Sequence, residues 1–230
     1  AEVEPGMGLH LGVDPNYNAQ FQLAPVTGNE IVSEAEGIRI HFDLVSAPRA
    51  RGIEIDILIN NAGSGVYGEF VDINWEREKA MLDLDIIALT HLTKLYVRDM
   101  VQRNRGHILQ VASIGAYQPS PLYASYAAAK AYVLNFSQAV SYELRHTNVH
   151  MAVVSPGITR SEFLEVAGQQ PTLYQRLTVM ESDTVTRQAI DGMLRGRVQI
   201  LPGLLTALTA RGTRLVPRWL AAAFAYRIMR

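Results

Sequence analysis

Five short runs of the chain are rich in branched apolar residues: 38–43 (IRIHFD), 55–60 (IDILIN), 107–112 (HILQVA), 149–154 (VHMAVV) and 198–201 (VQIL). Runs this short and this apolar read as strands covered on both faces. Between and after them the period changes. Segments 74–103, 124–146 and 183–194 carry helical patterns, the last with Ser182 or Asp183 as N-cap. Buried strands alternating with helices predict an α/β protein, a doubly wound parallel sheet with helices on both faces. Residues 1–37 do not join this rhythm, although "NEIVSEAEGIRIHF" (29–42) could close as a hairpin. No internal repeat or second domain is evident, so 1–230 is expected to be one domain with a divergent N-terminal segment.

Composition narrows the chemistry. Of 230 residues, 48% are apolar and 19% charged, enough for a sizeable core. A net charge of −1 gives no general attraction to nucleic acid. The chain has no cysteine, which excludes disulfides, thiolate nucleophiles and Cys-based zinc sites and fits a cytoplasmic protein. No secretory pattern opens the chain, since residues 1–37 are polar and glycine-rich. His146 and His150 straddle a helix-to-strand boundary without a third ligand, so no metal site is expected. The stretch 203–230, "GLLTALTARGTRLVPRWLAAAFAYRIMR", comes nearest to a membrane span. Arg211, Arg214 and Arg218 interrupt it, and Pro217 opens a new helix. A pair of helices packed on the body is the expectation; the alternative is a helix lying on a membrane surface or a partner.

In a doubly wound sheet, ligands sit outside the carboxyl ends of the strands. Those ends are followed here by "NNAG" (60–63), "SIG" (113–115) and "SPGIT" (155–159), all small, polar and glycine-bearing. Thirteen residues beyond Ser113 comes Tyr126, with Lys130 one helical turn further on. At i and i+4 the two side chains share a face, and an ammonium beside a phenol favours the phenolate. Alone the pair is weak evidence in a chain with ten tyrosines. With Ser113, it brings a hydroxyl, a phenol and an ammonium to one edge of the sheet.

With these pieces in this order, the sequence resembles the short-chain dehydrogenase/reductase family, from about Gly37 to the C-terminus. The matching elements are Asp43-Leu44 after a strand, "NNAG" at 60–63, Ser113, "YAAAK" at 126–130 and "PGIT" at 156–159. The resemblance implies a Rossmann-like fold and an NAD- or NADP-dependent oxidoreductase. Tyr126 would be the general acid/base toward a carbonyl or alcohol oxygen, and Ser113 would hydrogen-bond that oxygen. Lys130 would depress the tyrosine pKa and hold the nicotinamide ribose. Asp43 and Leu44 would bind the cofactor, Asn60, Ala62 and Gly63 would line its adenosine side, and Pro156, Gly157 and Thr159 would border the nicotinamide.

Two departures from the family pattern stand out. Asp85 ("LDLDIIA") occupies the position of an asparagine that holds a water linking the lysine to solvent, and is counted with the catalytic set. The family's opening T-G-x-x-x-G-x-G turn and phosphate-binding helix also fail to match. "PVTGNEIVSEAEG" (25–37) keeps Thr27 and Gly28, then puts Glu30, Ile31 and Val32 where small residues let backbone approach phosphate. Weak cofactor affinity is expected.

The segment 160–182 should form a mobile lid over the substrate. Phe163, Leu164, Leu173, Tyr174 and Met180 would line it and select a hydrophobic carbonyl compound or the matching alcohol. Helices 74–103 and 124–146 carry apolar residues beyond one stripe, which suggests a homodimer or homotetramer. Two alternatives remain: a cofactor-free serine hydrolase using Ser113 with Tyr126 and Lys130, and a non-catalytic protein of the same fold. The hydrolase lacks the G-x-S-x-G elbow around Ser113 ("VASIG").

Overall fold

A computed structural model describes residues 7–13, 19–25, 31–35, 38–42 and 54–230. The chain divides into two compact units, residues 1–55 and 56–230.

The first unit is a four-stranded sheet in the order β2-β1-β4-β3. Its strands are β1 (Met7–Val13), β2 (Ala19–Pro25), β3 (Ile31–Ala35) and β4 (Ile38–Phe42). β1 runs parallel to β4, and the other pairs are antiparallel. Strand 38–43 is thus found nearly where the pattern puts it, as Ile38–Phe42, but in this mixed sheet and not in the all-parallel one. The reason is local. Ala35 pairs with Ile38 across two intervening residues, so β3 and β4 close as a hairpin at a lower entropic cost than a long crossover connection. Segment 1–37, expected to be irregular, contributes three of the four strands.

The second unit holds a parallel sheet in the order β5-β6-β7-β8: β5 (Ile57–Asn60), β6 (Gly106–Val111), β7 (Val149–Val154) and β8 (Gln199–Ile200). Side chains alternate across it. Leu109, Ala152 and Val154 pack with Ala189, Met193 and Ile200 on one face; Ala112 and Val153 pack with Leu89, Val133 and Leu134 on the other. Helices cover both faces, as a doubly wound sheet requires.

The predicted helix 74–103 is built in three pieces: α1 (Trp75–Leu82), a π turn at Asp83–Ala88, and α2 (Leu89–Arg103). Asn74 caps it by accepting the Arg77 N–H, and Asn104 ends it in the left-handed conformation (φ 51°). The next helix, α3, is Ala124–Glu143. Then come α4 (Phe163–Ala167), α5 (Leu173–Thr178), α6 (Ser182–Leu194), α7 (Leu204–Gly212) and α8 (Arg218–Met229). The N-cap of α6 is Glu181, one residue earlier than Ser182, and its side chain makes no capping bond. Pro217 stands at the N-cap of α8, where a missing N–H costs nothing. Among the described residues no helix is long and apolar enough to cross a membrane.

Candidate active site

The carboxyl ends of β5, β6 and β7 make one rim, because the strands are parallel and in register from Asn60 to Gln110 and from Val111 to Val154. Ser113 leaves that rim after β6 and caps a 3-10 turn (Ile114–Tyr117), its Oγ accepting the Gly115 N–H at 3.1 Å. Tyr126 and Lys130 lie in the first two turns of α3. Ala127 and Ala129 are buried there, and their small size lets the helix approach the sheet.

The structure brings the four expected catalytic residues together. The Ser113 hydroxyl stands close enough to the Tyr126 phenol to lower its pKa. The Lys130 ammonium is buried and donates to the Val111 carbonyl at 3.2 Å. It also pairs with Asp85 Oδ2 at 3.1 Å and lies 5.7 Å from the centroid of the Tyr126 ring. Asp85 is fully buried at the π turn, a device that often marks functional sites. Its Oδ1 accepts the Ser64 N–H at 3.1 Å, while Oδ2 makes the ion pair without hydrogen-bond alignment. A β-carbon on Gly63 would come within 3.0 Å of both Asp85 Oδ1 and Lys130 Nζ, so only glycine leaves this pair undisturbed.

One electrostatic expectation is overturned. Lys130 was expected to lower the Tyr126 pKa, yet that pKa is raised above its ordinary value of 10.0. Burial is the main cause, the nearby Ser113 hydroxyl opposes it, and the Asp85 charge adds to it. Aromatic neighbours supply the burial: Phe163 at 5.1 Å and Tyr123 at 5.7 Å between ring centroids. Burial also pushes the Tyr123 phenol up.

Phe163 is brought in by α4, and a β-carbon on Gly65 would collide with its ring at 2.6 Å. The rest of segment 160–182 departs from a loose lid. Tyr123 donates its hydroxyl to Gln169 Oε1 at 2.8 Å, Gln175 donates to the same oxygen at 2.8 Å, and Gln169 donates to the Met229 carbonyl at 3.1 Å. Both glutamines are buried, and a capping box at Thr172 starts α5. This network anchors the lid to α3 and α8. Leu173, expected to line the site, is 73% exposed.

Of the expected cofactor residues, Pro156 accepts the Ile114 N–H at 2.8 Å, and Thr159 donates to the Gly157 carbonyl at 3.2 Å. These bonds hold the "PGIT" loop beside Ser113. The Asn60 side chain is buried and engaged with Thr93 Oγ1 at 3.0 Å and Gln110 Oε1 at 2.9 Å, whereas Ala62 and Gly63 are exposed at the rim. Asp43, Leu44, Thr27, Gly28 and Glu30 lie outside the described residues. Ile31–Ala35, in the stretch that departs from the family's opening turn, is a strand.

Sequence reasoning missed Glu78, which is buried on α1 and accepts a hydrogen bond from Ser125 beside Tyr126. It also missed Tyr123, Gln169 and Gln175. Tyr123 stands at i−3 from Tyr126 and was open to discovery by helical spacing; the glutamines carried no such signal.

A family model described as short chain dehydrogenase matches residues 39–172. The chain belongs to the short-chain dehydrogenase family. Membership places it among oxidoreductases and agrees with the doubly wound fold. An uncharacterized oxidoreductase of Myxococcus xanthus is 25% identical over 209 residues, covering 91% of this chain and 81% of that protein. Dehydrogenase/reductase SDR family member 4 of Bos taurus is 35% identical over 118 residues, covering 51% of this chain and 42% of the relative. Other curated relatives are likewise matched over about half their length. The solved structure of a short-chain dehydrogenase from Sphingobium yanoikuyae in complex with NADPH is 30% identical. It superimposes with a TM-score of 0.64, covering 78% of this chain and 75% of that one.

Proposed function

We propose that this protein is a nicotinamide-dependent oxidoreductase that reduces a hydrophobic carbonyl compound, or oxidises the matching alcohol, with Tyr126 as general acid/base. The observation that carries the reading is the Tyr126 phenol beside the Ser113 hydroxyl, backed by the buried Lys130–Asp85 pair.

The ribose half of a nicotinamide cofactor fits the residues present. Lys130 has three N–H donors, of which one goes to Val111 and one side faces Asp85, leaving a donor for a ribose hydroxyl. Asp85 Oδ2 is buried without a hydrogen bond and so retains acceptor capacity nearby. The exposed rim at Ala62 and Gly63 and the "PGIT" loop would border the cofactor. When bound, the cofactor supplies the hydride in reduction and takes it in oxidation. The phosphate half has weaker support, since Glu30, Ile31 and Val32 stand where the family pattern has small residues, and low cofactor affinity is the expectation.

In reduction, the Tyr126 hydroxyl donates its proton to the carbonyl oxygen as negative charge develops there. Ser113 donates a hydrogen bond to the same oxygen, and the Lys130 ammonium stabilises the phenolate left behind. The raised pKa keeps the phenol protonated well past neutrality, which suits a proton donor better than a base. Phe163 and Tyr123 shield the reacting oxygen from water and favour an apolar substrate. The exposed Ile87, Val101, Tyr132 and Tyr142 on α2, α3 and the π turn support self-association through those helices.

The test is reduction of aromatic and bulky aliphatic ketones with saturating NADPH or NADH, comparing the parent with Tyr126→Phe. Loss of the proton donor should lower turnover by roughly 10²–10⁴-fold with the fold intact by circular dichroism. A variant that keeps a tenth of the parent rate excludes the assigned role. Calorimetric titration of either cofactor tests the phosphate half separately.

A further inference from the structure

We propose that the C-terminal helix pair docks this protein on an anionic phospholipid surface, with phosphate headgroups in an arginine-lined cleft and large apolar side chains in the acyl region. The first observation is an inversion of normal helix burial. Helices α7 and α8 turn small residues inward, Thr206, Ala210, Ala221 and Ala225, and leave Leu204, Leu208, Trp219 and Phe224 between 57% and 76% exposed. A helix packed on a protein core ordinarily does the reverse.

The second observation is spacing. Leu204, Leu208 and Arg211 stand at i, i+4 and i+7 on α7; Leu220, Phe224 and Arg227 repeat that spacing on α8. Each helix therefore carries an exposed apolar stripe that ends in an arginine. A long aliphatic stem with a cationic tip is suited to reaching from such a stripe to headgroups.

The third observation is charge. Between Gly192 and Arg230 the chain has seven arginines and no acidic residue, although its net charge is −1. Arg195, Arg197, Arg211 and Arg214 line a cleft of about 370 Å³ that also includes Asp191 and Gln199. Among the described residues, none of these four guanidinium groups makes a salt bridge or side-chain hydrogen bond. A phosphodiester matches the charge of such a cleft, and guanidinium groups bind it with two parallel hydrogen bonds. An acidic protein partner would also meet the cleft, but the uncovered leucine, tryptophan and phenylalanine side chains favour a lipid interface. Since no described helix is long and apolar enough to span, the segment would lie on the bilayer.

Co-sedimentation of the full chain with vesicles tests this, using phosphatidylcholine containing phosphatidylserine against phosphatidylcholine alone. Binding is expected on the anionic vesicles and should weaken with salt. Replacing Arg195, Arg197, Arg211 and Arg214 with glutamine should lower partitioning several-hundredfold, at about fivefold per charge near the surface. Leu208→Ser with Phe224→Ser should lower it independently, with helicity of every variant checked by circular dichroism. In a Trp75→Phe background, the emission of Trp219 should shift to the blue on binding. No binding by the parent, equal binding to both vesicle types, or binding unchanged in both variant sets overturns the proposal. A parent of multiple mass that ignores vesicles, and becomes a 25.5 kDa monomer with the serine substitutions, assigns the face to a second copy instead and also overturns it.

Discussion

Two groups of cations in the same unit are treated in opposite ways. At the rim of the sheet, Lys130 is 4% exposed, ion-paired to a fully buried carboxylate, and hydrogen-bonded to the strand beside it. In the C-terminal segment, Arg211, Arg214, Arg218 and Arg227 are exposed and among large apolar side chains that also face out. A buried charge must have its counter-charge in the protein, whereas an exposed one can wait for a partner supplied from outside. The first arrangement stabilises a built site; the second leaves a surface available.

The largest expected effect breaks the buried side. Lys130→Met removes the counter-charge of the buried Asp85 at the π turn, and should destabilise the fold by about 3–5 kcal/mol in denaturant titrations. A loss under about 1 kcal/mol would mean that water reaches Asp85 and that the two cation groups differ less than their exposures indicate.

A subtler change sharpens the electrostatics. Asp85→Asn removes the negative charge that helps raise the Tyr126 pKa and leaves Lys130 without its counter-ion. Both effects favour the phenolate. The alkaline limb of the pH–rate profile for ketone reduction should move to lower pH, because the phenol loses its proton earlier. An unmoved limb would separate Asp85 from the titration of Tyr126.

The smallest effect is expected on the exposed side. Phe224→Ser should alter unfolding free energy by no more than about 0.5 kcal/mol, as for surface positions without specific contacts. A cost of several kcal/mol would place Phe224 in a packed interface.

Much of the site is legible in the order of residues alone. Tyr126 and Lys130 share one side of their helix by spacing alone, since a helix places i and i+4 together whatever surrounds it. Strand ends are legible in a similar way: small polar residues after apolar runs mark the rim of a parallel sheet. Less of the supporting shell can be read. Glu78 meets Ser125, and Gln169 meets Tyr123 and Gln175, through contacts whose sequence separation carries no period.

By itself, then, the sequence determined the order of the parallel strands and the longer helices in residues 56–230, because these follow from local periodicity. It also set the expectation of a degenerate phosphate turn, from Glu30, Ile31 and Val32 where the family pattern has small residues. Only the tertiary structure decided the sheet in which 38–42 pairs, because a short hairpin closes more readily than a long crossover. It alone decided the direction of the Tyr126 pKa, which depends on how deeply the ring is buried and on where Lys130 is held. It also decided which face of α7 and α8 turns outward. Periodicity shows that a stripe exists, and packing determines whether the core takes it or leaves it uncovered.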